Sequence, residues 1–81
     1  MIFAKGMETR EITLAEAPEE CRLRVERIAA APSLALRLVE MGVTPGAGLS
    51  VVRRGYGMVV VRVGGARLAL ARDVADRVMV K

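Results

Sequence analysis

Between Leu49 and Leu70 three short apolar runs follow one another with almost nothing between them. "LSVVRR" is separated from "MVVVRV" by Gly55-Tyr56-Gly57, and "MVVVRV" from "ARLAL" by Gly64-Gly65. A parallel crossover needs roughly a dozen connecting residues, so these connections admit only antiparallel hairpins. Gly-Tyr-Gly reads as a three-residue hairpin loop and Gly-Gly as a two-residue turn of the primed type. In the first run Leu49 and Val51 share one face, and Ser50, Val52 and Arg54 the other. The middle run is apolar on nearly both faces and belongs in the centre of a sheet. In the third, Ala66, Leu68 and Leu70 point inward and Arg67 outward.

The rest of the chain must complete this meander. "CRLRVERI" has period two, with Leu23 and Val25 on one face, and Ile28 out of phase with them, which places a bulge near Glu26–Arg27. "ITLAEA" supplies Ile12 and Leu14, read as an anchoring turn in which Leu14 plugs the core. "RDVADRVMV" offers Asp73 as the cap of a single helical turn, then Val78 and Val80 in a last short strand. Between the first two strands lies "PSLALRLVEMGVTPG". Pro32 fits a helix entrance with Ser33 as N-cap, and Leu34, Leu38 and Met41 fall on one helical face. Leu36 and Val39 fall on the opposite side. Such a helix either buries both faces or leaves Leu36 and Val39 for a partner. Gly42 suits the left-handed position after a helix. Pro45 and Gly46 then suit the two central positions of a type II turn. The expected architecture is mainly β: about five short antiparallel strands curled into a small barrel, with one short inserted α-helix.

Composition narrows the class of function. With 53% hydrophobic residues in 81, the chain is no disordered segment. Cys21 is single and histidine is absent, so neither an internal disulfide nor the commonest metal ligand and acid–base group is available. No apolar run approaches the length of a membrane span, and "MIFAKG" does not resemble a signal peptide. The expectation is a soluble, cytoplasmic protein without direct membrane insertion. Residues 1–10 read as a flexible leader, with Met7 an alternative start, and residues 11–81 as the folded domain. Charge is uneven: residues 1–40 hold six basic and seven acidic side chains, residues 41–81 seven and two. A basic second half is either an ordinary solvated surface or a site for an acidic partner.

No catalytic constellation stands out, so the chain reads as a non-enzyme. Asp73 and Asp76 share a helical face, but that spacing suits a cap and a solvated side chain. No metal ligand set and no cofactor are expected. The basic hairpin has one rival reading, a small-barrel nucleic-acid module of the KOW type in which Arg53, Arg54 and Tyr56 meet phosphates and a base. Single-strand binders use several aromatic platforms, and this chain has only Tyr56 there, which disfavours nucleic acid.

"RLVEMGVTPG" resembles the Arg-Leu-x-x-Leu/Met-Gly-Leu/Val-x-Pro-Gly signature of the FeoA family, and "VRVGGARLALARDVADRVMV" resembles that family's second block. "ITLAEA" and "CRLRVERI" match its opening, so the likeness runs from about residue 12 to 80. The signature falls on Arg37, Leu38, Met41, Gly42, Val43, Pro45 and Gly46, then on Leu68, Ala69, Leu70 and Ala75. Two departures stand out. The family commonly has Gly entering its first strand, where this chain has Glu20 or Cys21. Many members have a longer Gly-Asp-Pro-like loop in place of Gly55-Tyr56-Gly57.

The resemblance implies an SH3-like barrel of the kind also found at the C-terminus of iron-dependent repressors. It also implies an accessory or regulatory role in bacterial ferrous iron uptake, on the cytosolic side of the FeoB-type iron permease. It does not by itself imply that this chain binds iron tightly. The expected docking residues are Leu36 and Val39 on the helix, and Arg53, Arg54, Tyr56 and Arg62 on a basic face beside it. Gly42, Pro45, Gly46, Leu68 and Leu70 are expected to hold the structure. The apolar patch could instead drive self-association.

Overall fold

The computed structural model describes residues 11–81, so the expected leader and the Met7 start lie outside the described residues. In chain order it contains β1 (Ile12–Thr13), β2 (Arg22–Ile28), α1 (Pro32–Glu40), β3 (Gly48–Gly55), β4 (Met58–Val63), β5 (Ala66–Ala71), α2 (Arg72–Ala75) and β6 (Val78–Val80). The strands form one six-stranded sheet in the order β1-β6-β2-β3-β4-β5, with every neighbouring pair antiparallel. One core gathers Leu23 and Val25, Leu49 and Val51, Val59, Val61 and Val63, Leu70, Val78 and Val80 from five strands, with Leu38 and Ala75 from the helices. A sheet whose inner face serves a single core must wrap around it. Each buried Val or Leu contributes about 1.5–3 kcal/mol through the apolar area it removes from water.

The β3–β4–β5 meander follows from its turns. Val63 pairs with Ala66 across Gly64-Gly65, and Gly64 carries φ +63° at the first central position, the mark of a primed turn. Gly55 pairs with Met58, so the expected three-residue loop is a two-residue turn, Tyr56-Gly57, with φ +64° at Gly57. A second difference comes from β3 itself. Its register against β4 shifts between Val51 and Arg53, leaving Val52 as the extra residue of a bulge. Beyond that point the faces exchange: Arg53 pairs with Val60 on the outer face, and Arg54 pairs with the buried Val59. Arg54 therefore does not share the face of Ser50. Leu68 and Leu70 reach the core as expected, whereas Ala66, next to the turn, is exposed.

Pro32 stands at the first helical position of α1, where its missing N–H costs nothing, and Ala31 is the N-cap. Ser33 is two positions past the N-cap, too deep to cap, and no side chain caps this end. The other end is closed by backbone. Gly42 N–H donates to the Val39 carbonyl and Val43 N–H to the Leu38 carbonyl, both at 2.9 Å, the bond pair of a Schellman motif. Gly42 has φ +97°, and Leu38 and Val43 on either side of it are fully buried. Thr44-Pro45-Gly46-Ala47 follows as the expected tight turn: Ala47 N–H donates to Thr44 at 2.9 Å, with φ +92° at Gly46.

The remaining strands complete the sheet, which ends in β1 on one side and β5 on the other. Ile12 and Thr13 pair with Val80 and Met79, adding a strand where only an anchoring turn was expected, and Leu14 is fully buried behind them. The bulge expected near Glu26 is present, between Val25 and Arg27 against β6. Glu20, at the entry to β2, holds φ +62°, a left-handed conformation unusual for a side-chain-bearing residue. Its N–H donates to the Val51 carbonyl at 2.8 Å. Asp73 lies in the first turn of α2 and not at its N-cap, which is Ala71.

Candidate functional site

Two surfaces hold the residues singled out by sequence. The first is the outer side of α1. Leu38 is buried and Leu34 half-buried against the core, whereas Leu36 is 58% and Val39 43% exposed. Of the two ways to use an apolar helix, the chain leaves one face open. Met41, expected inside, is 42% exposed because the helix ends there and Val43 takes the core position.

The second surface is the outer face of β2–β5. Arg22 pairs with Ser50, Ser50 with Arg62, and Arg62 with Arg67, so one cross-strand row carries three arginines over four strands. All three arginines are exposed. The next row of the meander is Arg53, Val60 and Ala69. Beside the first row lies a shallow cleft of about 520 Å³ lined by Arg22, Arg24, Gly48, Arg62 and Lys81 among others. Arg24 is committed to the Gly46 carbonyl at 3.0 Å and Lys81 to Glu26 at 3.1 Å. Arg22, Arg62 and Arg67 have no ion pair among the described residues.

The expected basic face is thus divided. Arg62 lies next to Val63, which faces Gly42 at the end of α1, and Arg53 lies further along the same outer face. Tyr56 is fully exposed at the opposite end of β4, about 17 Å away along the strand at the usual rise per residue. Arg54 is half-buried. Its guanidinium donates to the Ala17 carbonyl and its backbone N–H to Glu19 Oε2 at 3.0 Å. It straps β3 to the segment before β2. Arg22 and Arg67 were not singled out from sequence. The available signal was the run from Met41 to Arg72, which holds five arginines and no acidic residue.

Among the described residues no three His, Cys, Asp or Glu side chains converge, and no helix is long and apolar enough to cross a membrane. Asp73 and Asp76 are both exposed, as is Cys21.

The family model described as the FeoA domain matches residues 12–81. The chain belongs to the FeoA family. That family is associated with ferrous iron transport. Among solved structures, an iron uptake regulatory protein (FeoA) is similar at 33% identity and TM-score 0.80, over 89% of this chain and 96% of that one. FeoA of Stenotrophomonas maltophilia complexed with zinc, an SH3 domain protein, is 33% identical with TM-score 0.76, over 86% and 89%. A manganese-dependent transcriptional repressor shares the fold, with TM-score 0.79 at 23% identity, over 86% of this chain and 40% of its own. No curated protein sequence matches. The SH3-like β fold expected of a FeoA protein is the one observed. The Gly42, Pro45 and Gly46 of the FeoA signature occupy the helix stop and the turn after it.

Proposed function

We propose that this FeoA protein is a non-enzymatic accessory of ferrous iron uptake that docks on the cytosolic region of the FeoB-type iron permease. The docking surface is the outer side of α1, and the chain acts in the cytoplasm at the inner face of the membrane through that partner. The observation that carries this reading is the exposure of Leu36 and Val39 on a helix whose Leu38 is fully buried in the core. Leu36 and Val39 lie three residues apart on one helical face, with exposed Met41 just beyond the helix end, so the exposed aliphatic groups are grouped and not scattered singly. Iron is the cargo of the system in this reading, not a ligand of this chain.

Binding of the full chain to the purified cytosolic region of the permease tests it. Leu36→Glu with Val39→Glu is expected to weaken binding about tenfold or more, since charge is placed at the centre of the contact. Both positions are exposed, so the thermal midpoint should hardly move. Absence of binding by the unmodified chain overturns the reading. So does a double variant that binds as well as the parent. Sedimentation adds a third outcome: a dimer that the double variant dissociates assigns the face to a second copy of the chain instead.

A further inference from the structure

We infer that the free edge of β5, together with Arg67 and Arg62 at the β5 end of the arginine row, is a strand-addition site for an extended acidic segment of a partner protein. This surface is separate from the α1 face. β5 is the last strand in the sheet order, and among the described residues nothing pairs with its outer side. Its six residues pair one for one with β4, without a bulge. Edge strands are usually blunted by bulges, proline or charge. Here Arg67 is the sole charge, and Ala66, Ala69 and Ala71 leave room for another backbone to approach.

Backbone polarity along the edge follows from the turns. Val63 and Ala66 flank a two-residue turn and so exchange hydrogen bonds, and Arg72 N–H donates to the Gly57 carbonyl at 3.0 Å. Alternation then directs the N–H and C=O groups of Arg67, Ala69 and Ala71 away from β4. An extended chain laid there gains main-chain hydrogen bonds.

The arginine row selects the occupant. Directly opposed like charges destabilise a sheet, yet Arg62 faces Arg67, and neither has a carboxylate partner among the described residues. Arginine presents a planar fork that suits carboxylates. A strand laid along β5 crosses the end of this row: a carboxylate opposite Arg67 lies one strand spacing of about 4.8 Å from it, and Arg62 lies one spacing further on the same face. A second copy of this chain is a poor occupant, because pairing β5 with itself joins two basic rows in one sheet. Nucleic acid fits less well, because no aromatic side chain lies in the row and Tyr56 is at the far end of β4.

The test uses the full chain and a labelled ten-residue peptide alternating Glu and Thr. Binding is expected at low salt, weakening strongly as salt shortens the Debye length to about 3 Å near 1 M. Arg62→Gln with Arg67→Gln should lower affinity about tenfold without unfolding the chain, both residues being exposed. Saturating peptide should slow hydrogen exchange at the amides of Arg67 and Ala69. Leu36→Glu with Val39→Glu should leave peptide binding unchanged, which keeps this result independent of permease docking. No binding at low salt overturns the inference, as does a double-arginine variant that binds normally. Binding without amide protection overturns it too, because side-chain attraction alone requires no added strand. Tighter binding of an oligothymidylate through the same arginines overturns it in favour of nucleic acid.

Discussion

The β3–β4–β5 meander and the β1–β6–β2 layer are two halves of one sheet built by different means. In the meander each strand meets the next through a two-residue turn, and every left-handed position is a glycine, Gly57 or Gly64. In the other layer neighbours come from opposite ends of the chain: Ile12 meets Val80, and Val25 meets Val80 from the other side. That layer holds the left-handed Glu20. It also holds both ion pairs found among the described residues, Arg27–Glu11 at 3.2 Å and Lys81–Glu26 at 3.1 Å. Contacts distant in sequence bear the larger loop-closure cost, which in this half is met by the burial of Leu14, Val25, Val78 and Val80, the partly exposed ion pairs adding little. Among the described residues the local half has no ion pair, and Arg53, Arg62 and Arg67 stand exposed on its outer face while Arg54 is drawn in as a strap.

The largest expected effect tests whether the halves are separable. Leu14→Ala removes a fully buried side chain behind β1 and should cost about 3 kcal/mol. Amide exchange should accelerate equally in β4 and β6 if one core holds both. Protection retained in β4 alone would break the sheet into two independent units. Next in size, Glu20→Gly should stabilise the chain by about 1 kcal/mol in chemical denaturation, because glycine adopts φ +62° without steric cost. An unchanged midpoint would mean that the layer carries no strain there. The smallest effects should differ in sign. Arg27→Gln should destabilise by about 0.5 kcal/mol at low salt and by nothing at high salt. Arg67→Gln should stabilise by a few tenths, roughly, by relieving its opposition to Arg62.

The same division explains what could be read from sequence. The meander was legible because tight glycine turns and period-two runs are local signals. The helix stop at Gly42 and the turn at Pro45-Gly46 were legible because each demands a backbone that few residues supply. The pairing of Ile12–Thr13 with β6 was not, since two residues carry no periodicity and the partner lies at the other end of the chain. Pro32 at the first helical position displaced Ser33 from the cap, a choice the two adjacent residues left ambiguous. The bulge at Val52 has no signature in "LSVVRR", so Arg54 was assigned to the wrong face and its role as a strap was missed. Of the candidate site, the open face of α1 depended on how deeply a short helix sits, which its own residues do not decide. The arginine row depended on register across four strands, visible in sequence only as a long stretch free of acid.

The Schellman closure has a last consequence. Val43 enters the core directly beyond Gly42, and Leu38 enters it one turn before, so α1 is pinned on both sides of its final turn. The helix cannot swing without withdrawing a fully buried aliphatic residue from the barrel. If Leu36 and Val39 are the docking face proposed above, a partner arriving there would meet a ridge whose ordering was paid for during folding, and association is expected without a slow rearrangement phase in stopped-flow binding traces.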